Sequence, residues 1–428
     1  MGPEKMSPEE ALAMRVSALC RRWARVTVFG AVLVSAGVAV AACSSGTSGA
    51  SGGAEPRSLS IEQASAYAKS QFTAQDRQAA TVLAPQAGSF LAGKTTVTIL
   101  GSTTTANGET IPHGIWPVTR TIGSVTAGDV LVDDFADRSG HLGTGTEIVD
   151  VHPNGEVGLF AQVPRTVPGC PGGVGLTSAM VQLETGWVIV GSLPTANGST
   201  DSARAGCLLV LSPTGAMAGT ISGPSIDGPW GETVRDDGDS ATLFVSNTLV
   251  GSPPSTTASV DRGDVVRLTL SQSVTSPPRV TAETKVAGGF PEHADPATLV
   301  EGPAGLVVSA SGTLYVADSV GDRIVSIPDS LSGPGSSTTG TTVSEGGQLA
   351  HPLGLALAPN GDLLATNATN GKIVEITPTG RQVGEYYADQ DQDQDPPGRD
   401  QLFALAVDQA GTGVLFTKGE ADTLALLH

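Results

Sequence analysis

Four short stretches place histidine, tryptophan or carboxylate side chains where apolar runs begin. His113 lies in IPHGIW, Trp230 and Glu232 in GPWGE, Glu301 in EGPAG and His351 in HPLG. Asp133, Asp134, Asn247, Asp318 and Asn367 close apolar runs such as VLVDD and TLYVAD. His, Glu, Asp and Asn brought to one axis could hold a divalent cation, calcium or zinc. His113, Glu301 and His351 are the ligand candidates for such an ion. A metal there would polarise a carbonyl or generate hydroxide. Asp or Asn at a strand end also caps turns by bonding its own backbone, and that is the expected role of Asp318 and Asn367.

What would bring these residues together is a repeat. GPAGLVVSASGTLYVADSVGDRIVSI and HPLGLALAPNGDLLATNATNGKIVEI share one layout. Each has Pro-x-Gly, an apolar run, a tight Gly turn, a second run ending in a small polar or acidic residue, and a third run. The second run recurs as GDVLVDD, GWVIVGS, ATLFVSN and TGVLFTK. The third recurs as TEIVDV, CLLVLS, DVVRLTL and DTLALLH. The runs are of strand length, and the turns HPNG, SPTG and TPTG follow the third run. The spacing predicts an all-β, six-bladed β-propeller over residues 94–428, four strands per blade. The final copy stops after its third strand, so KTTVTILGS (94–102) is expected to supply its outer strand and close the ring.

In its strongest copies this unit resembles the NHL repeat. NHL-type and gluconolactonase-type propellers share six blades, so the likeness implies the fold without choosing an activity. In gluconolactonase-like propellers a channel metal held by acidic and amide groups polarises a lactone. In amidating-lyase-type propellers of similar repeat, zinc is held by His. Ligands of such folds bind on the face carrying the second-to-third strand loops and the loops into each next blade. Arg204, Arg262, Arg323 and Lys372 fall on that face, with Asp261 and Asp322 as expected neighbours. So does the acidic run ADQDQDQDPPG, which has no recognised calcium-loop spacing and reads as a solvated loop.

Residues 1–42 are expected to be an export signal. Arg21, Arg22 and Arg25 precede an apolar run from Val26 to Ala42. The run ends Val-Ala-Ala-Cys43, which resembles a bacterial lipobox, with Cys43 as the lipidated residue. Residues 43–57 are a flexible Gly/Ser tether. Residues 58–93 are expected to be a helical segment, with a short helix over 60–83 started by Ser60 and Gln63 at capping-box spacing. The chain is thereby placed on the outer face of a cytoplasmic membrane, held by its lipid.

The net charge is −19, and the signal carries five basic and three acidic side chains, so its removal leaves −21. Such a surface repels nucleic-acid phosphates, and nucleic-acid binding is not expected. Cys170 and Cys207 are the remaining cysteines of the exported body, and an even pair outside the cytoplasm predicts a disulfide. No GxSxG or HExxH is present, and no Ser–His–Asp grouping is suggested. The leading expectation is a binding or scaffold propeller for a protein, peptide or cell-wall glycan. The alternative is a metal-dependent lactonase-like hydrolase or lyase working at the channel.

Overall fold

A computed structural model describes residues 83–250, 259–295, 298–390, 398–399 and 401–428. The signal, Cys43, the tether and the helix expected over 60–83 fall outside the described residues, except for Leu83. Among the described residues no helix is long and apolar enough to cross a membrane.

Six antiparallel sheets follow one another along the chain. Blade 1 is built from Thr110–Pro117, Val130–Ala136, Glu147–Val151 and Val157–Gln162. Blades 2 to 5 begin with Leu176–Gln182, Pro229–Asp236, Pro303–Val308 and Pro352–Leu357. Blade 6 has Leu402–Val407, Val414–Lys418 and Thr423–Leu427. Its fourth strand is Val97–Ser102, which pairs antiparallel with Thr423–Leu427. Backbone bonds from Thr96 N to His428 O (3.1 Å) and from His428 N to Thr96 O (2.9 Å) extend that seam. The six innermost strands contact each other in blade order, and the sixth contacts the first. The ring expected from the repeat is therefore closed as the sequence predicts.

The Pro-x-Gly signature has a packing reason. Proline opens the inner strands at 229, 303 and 352 and is the third residue of the first at 112, positions near a strand start that are compatible with its missing N–H. The glycine two residues on lies against the next blade's backbone. A Cβ on Gly231 would sit 2.3 Å from Ala304 O, and one on Gly354 would sit 2.6 Å from Phe403 O. Hydroxyls stitch the same seams. Thr177 Oγ1 donates to Pro229 O (2.8 Å), Ser246 Oγ to Ala304 O (2.7 Å), Ser319 Oγ to Pro352 O (2.6 Å) and Thr366 Oγ1 to Phe403 O (2.9 Å).

Third strands such as Glu147–Val151, Cys207–Leu211 and Lys372–Ile376 are buried throughout. A neighbouring blade covers each face, which explains continuous rather than alternating apolar runs. Cys170 and Cys207 form the expected disulfide, with Cα atoms 5.5 Å apart. In the chain-entropy model a loop of this size contributes about 3–4 kcal/mol.

Two features depart from the expected layout. Residues 84–93, the described end of the segment expected to be helical, form turns seated on blade 5. There Leu91 N donates to Glu375 Oε2 (2.8 Å), and Leu91 itself is fully buried. Blade 3 carries an extended hairpin, Val260–Ser273 with Ser276–Asp295, and a fifth strand, Leu299–Glu301.

Candidate functional site at the channel mouth

Strand register decides what reaches the axis. Pro112 pairs with Asp134, Pro229 with Asn247, Pro352 with Asn367 and Leu402 with Lys418. One residue after each pair, the inner strands present His113, Trp230, Leu353 and Phe403 at equivalent heights. These side chains form a cap. The His113 ring lies 4.3 Å from Phe135 and 4.1 Å from Phe403, centroid to centroid, with Trp230 edge-on at 5.4 Å. Leu193, Leu299, Val300, Ala304 and Ala368 complete the apolar cluster. His113 is 1% exposed, and neither ring nitrogen has a hydrogen-bond partner. Burial pushes its pKa down to about 3, so the ring is neutral.

The carboxylates of the same cluster are equally short of partners. Asp133 Oδ1 accepts from Gly114 N (2.9 Å), but its Oδ2 is buried without a partner. A Cβ at position 114 would fall 2.5 Å from that oxygen, so glycine is what admits this carboxylate. Burial raises the Asp133 pKa to about 8. Glu232 occupies an inner-strand position that is Ile115, Leu306, Leu355 and Leu405 in other blades. Both of its carboxylate oxygens are shut off from solvent without a partner. Burial, and then the nearby charge of Asp133, hold its pKa well above the usual range. Asp134 has two partnerless oxygens. Burial and then the charges of Asp133, Glu147 and Asp422 raise it strongly.

Glu301 and His351 come together, and His293 joins them. Glu301 Oε2 lies 2.8 Å from His351 Nδ1 and 3.2 Å from His293 Nε2. His293 Nδ1 lies 3.0 Å from the Ala294 carbonyl. Carboxylate and carbonyl oxygens only accept, so making both bonds requires a proton on each ring nitrogen of His293. The ring is then an imidazolium, and its hydrogen bond to Glu301, opposed in part by burial, raises its pKa. Burial alone would raise Glu301, but the bonds from His293 and His351 outweigh it and hold the carboxyl at about 2. The side chains of His293 and His351 are 20% and 25% exposed, so this cluster meets solvent. His113 does not join it. Among the described residues, His113, Glu301 and His351 do not form a group of ligand atoms close enough to share an ion.

The loops that position these groups use unusual backbone. Ile111 and His351, which lead into blades 1 and 5, have φ of 64° and 49°. Each amide is bonded by an aspartate of the preceding blade. Asp422 Oδ1 takes Ile111 N (2.8 Å) and Asp322 Oδ1 takes His351 N (2.7 Å). Both aspartates also have positive φ, 48° and 49°. Non-glycine residues persist in this region only where surrounding bonds enforce it.

The remaining candidates bond within their own blades. Asp318 Oδ2 takes Arg323 Nε (2.7 Å), so Arg323 pairs with Asp318 rather than with its neighbour Asp322. Asn367 Oδ1 accepts from Ala350 N (3.1 Å), and its Nδ2 donates to Gln348 O (2.7 Å). Asn247 Nδ2 donates to Ser225 O and to Asp264 Oδ1, both at 2.9 Å. Arg204 donates to carbonyls of its own loop. Lys372 is fully buried against Glu385 at 2.9 Å, and so does not present its charge to a ligand. Of the acidic run, Asp389 pairs with Lys418 (3.2 Å), while residues 391–397 lie outside the described residues.

His293 is the member that sequence reasoning missed. It is brought to Glu301 by the pairing of Ser276–Asp295 with the short fifth strand, which no repeat signal announces.

No family model matches the chain, and no curated protein matches it. Among solved structures it is similar to a regucalcin, described as a calcium-binding protein, from Agrobacterium tumefaciens. The identity is 13%, covering 77% of this chain and 93% of that one, with a TM-score of 0.48. It is similar to a gluconolactonase from Xanthomonas campestris at 13% identity, covering 81% and 94% of the two chains, with a TM-score of 0.46. A virginiamycin B lyase from Staphylococcus aureus is 15% identical over 78% of this chain and 85% of its own, with a TM-score of 0.43. At these identities the likeness does not extend to ligand or reaction.

Proposed function

We propose that this chain is an exported, lipid-anchored propeller that binds a protein, peptide or cell-wall glycan on the face carrying the blade-leading loops. The observation that carries this reading is the apolar cap. His113, Trp230, Phe403 and Phe135 stack together and pack with Leu353 in one apolar cluster, and the unpartnered oxygens of Asp133 and Glu232 are buried from solvent. A solvent-reaching polar group on this face is the Glu301–His293–His351 cluster. It combines a positive imidazolium with a carboxylate acceptor and suits recognition of a polar ligand.

A metal-dependent lactonase-like hydrolase or lyase is the second reading, and one observation favours it. Asp133 Oδ2, both Glu232 oxygens and both His113 nitrogens are buried without partners. These are donors that a divalent cation takes, and neutral His113 is in the right state to ligate. Among the described residues the donor atoms of Asp133, Glu232 and His113 do not all lie close enough to one another to share an ion as they stand, so they would have to draw together to hold one, and it would then supply Lewis-acid polarisation of a lactone carbonyl.

The two readings separate in a turnover assay on a panel of lactones with calcium, zinc or manganese added. The binding reading expects no hydrolysis above background. Hydrolysis that disappears in Asp133→Asn and Glu232→Gln would replace it with the enzyme reading. Anchoring rests on Val40-Ala41-Ala42-Cys43. Cys43→Ser is expected to accumulate an unlipidated precursor that takes up no labelled fatty acid, and unchanged fatty-acid labelling would reject lipidation at this residue.

A further inference from the structure

Asp129, Asp150 and His152 converge on the opposite face of the ring, where first-to-second and third-to-outer strand connections lie. Val130 pairs with Val151, which sets Asp129 across from His152. Strand alternation then puts Asp150 on the same face as His152, two residues away. Asp129 Oδ1 lies 2.9 Å from His152 Nδ1, and Asp150 Oδ2 lies 4.0 Å from the same nitrogen. One donor atom from each residue falls within 4.8 Å of the other two.

The balance of charge here is incomplete. The side chains of Asp129 and Asp150 are 2% and 8% exposed. Neither has a Lys or Arg ion pair among the described residues. Asp129 Oδ2 is satisfied by Thr126 N at 2.6 Å, but Asp150 Oδ1 is buried with no partner. Burial, and then the charge of Asp129, raise the Asp150 pKa to about 6. The hydrogen bond with Asp129 raises the His152 pKa, so the imidazole supplies at most one positive charge against two buried carboxylates. His152, with 35% of its side chain exposed, leaves a path for it from solvent.

We propose that Asp129, Asp150 and His152 form a divalent-cation site on this face of blade 1, and that zinc is the ion it takes. Carboxylate and imidazole together make a mixed O/N set that suits zinc, whereas calcium prefers an all-oxygen shell. Ligation uses His152 Nδ1, so its proton moves to Nε2 or leaves with solvent. The site is independent of the channel mouth and of the function proposed there.

The test is calorimetric titration of the folded chain, made without a histidine tag and freed of metal, with zinc chloride. We expect one equivalent to bind, with affinity falling about tenfold or more in Asp150→Asn and in His152→Gln. Calcium at the same concentration should give no saturable heat. Absence of saturable zinc uptake would overturn the proposal and leave a proton shared between the two aspartates as the compensation. Uptake unchanged in both variants would overturn it too, and would move the metal to another cluster such as Glu301–His293–His351. Melting curves in chelator check the variants. If Asp150→Asn does not fold, His152→Gln decides alone, because its ring is partly solvent-exposed.

Discussion

Blades 1 and 5 fill the same slots with opposite consequences. In blade 5, Thr366 donates to Phe403 O across the seam, and Asn367 bonds Ala350 N and Gln348 O. In blade 1 those positions are Asp133 and Asp134, which leave three carboxylate oxygens without partners. Blade 5 also pairs its buried charge, Lys372 with Glu385. Blade 1 gathers Asp133, Asp134 and Glu147 with no such counter-ion among the described residues, and burial raises all three pKa values. A hydroxyl or amide in this slot closes a seam. A carboxylate in the same slot gives up the seam bond and keeps a proton, a cost in stability that marks blade 1 as the irregular side of the ring.

The comparison can be broken from either side. Lys372→Met should have the larger effect, because it strands Glu385 in the interior. We expect a loss of about 3–5 kcal/mol in urea unfolding. A loss under about 1 kcal/mol would mean that the pair is not what satisfies blade 5.

Asp133→Asn should act in the opposite direction. The folded pKa of Asp133 is about 8, against an ordinary 3.8. Between those values the native state holds a proton that the unfolded chain has released, so stability falls as pH rises through that window. Replacing the acid with a neutral amide should therefore stabilise by about 2–4 kcal/mol at pH 6, with the gain vanishing near pH 4. A pH-independent change would show that Asp133 does not carry the raised pKa.

Much of the fold was legible because propeller signals are local. Pro-x-Gly, strand-length apolar runs and Pro/Gly turns recur within each blade, and a missing fourth strand at one end is answered by a β-rich run at the other. The candidate site was legible only as a set of positions. Arg323 shows why. Its sequence neighbour Asp322 is the partner expected from the sequence, yet Asp322 has a φ of 49° and turns its carboxylate to His351 N, leaving Arg323 to Asp318. His293 gave no signal, because the extended hairpin and the fifth strand that deliver it interrupt the repeat.

The sequence alone determined the number of blades, the closing strand and the Cys170–Cys207 bond, since each depends on periodicity or on the count of a residue type. Only the tertiary structure decided which strand-end side chains are satisfied. A partner for Thr366 or Asp133 belongs to the next blade or to the opposite wall of the channel, many residues away. Whether a buried oxygen finds a donor there depends on side chains that no local pattern encodes.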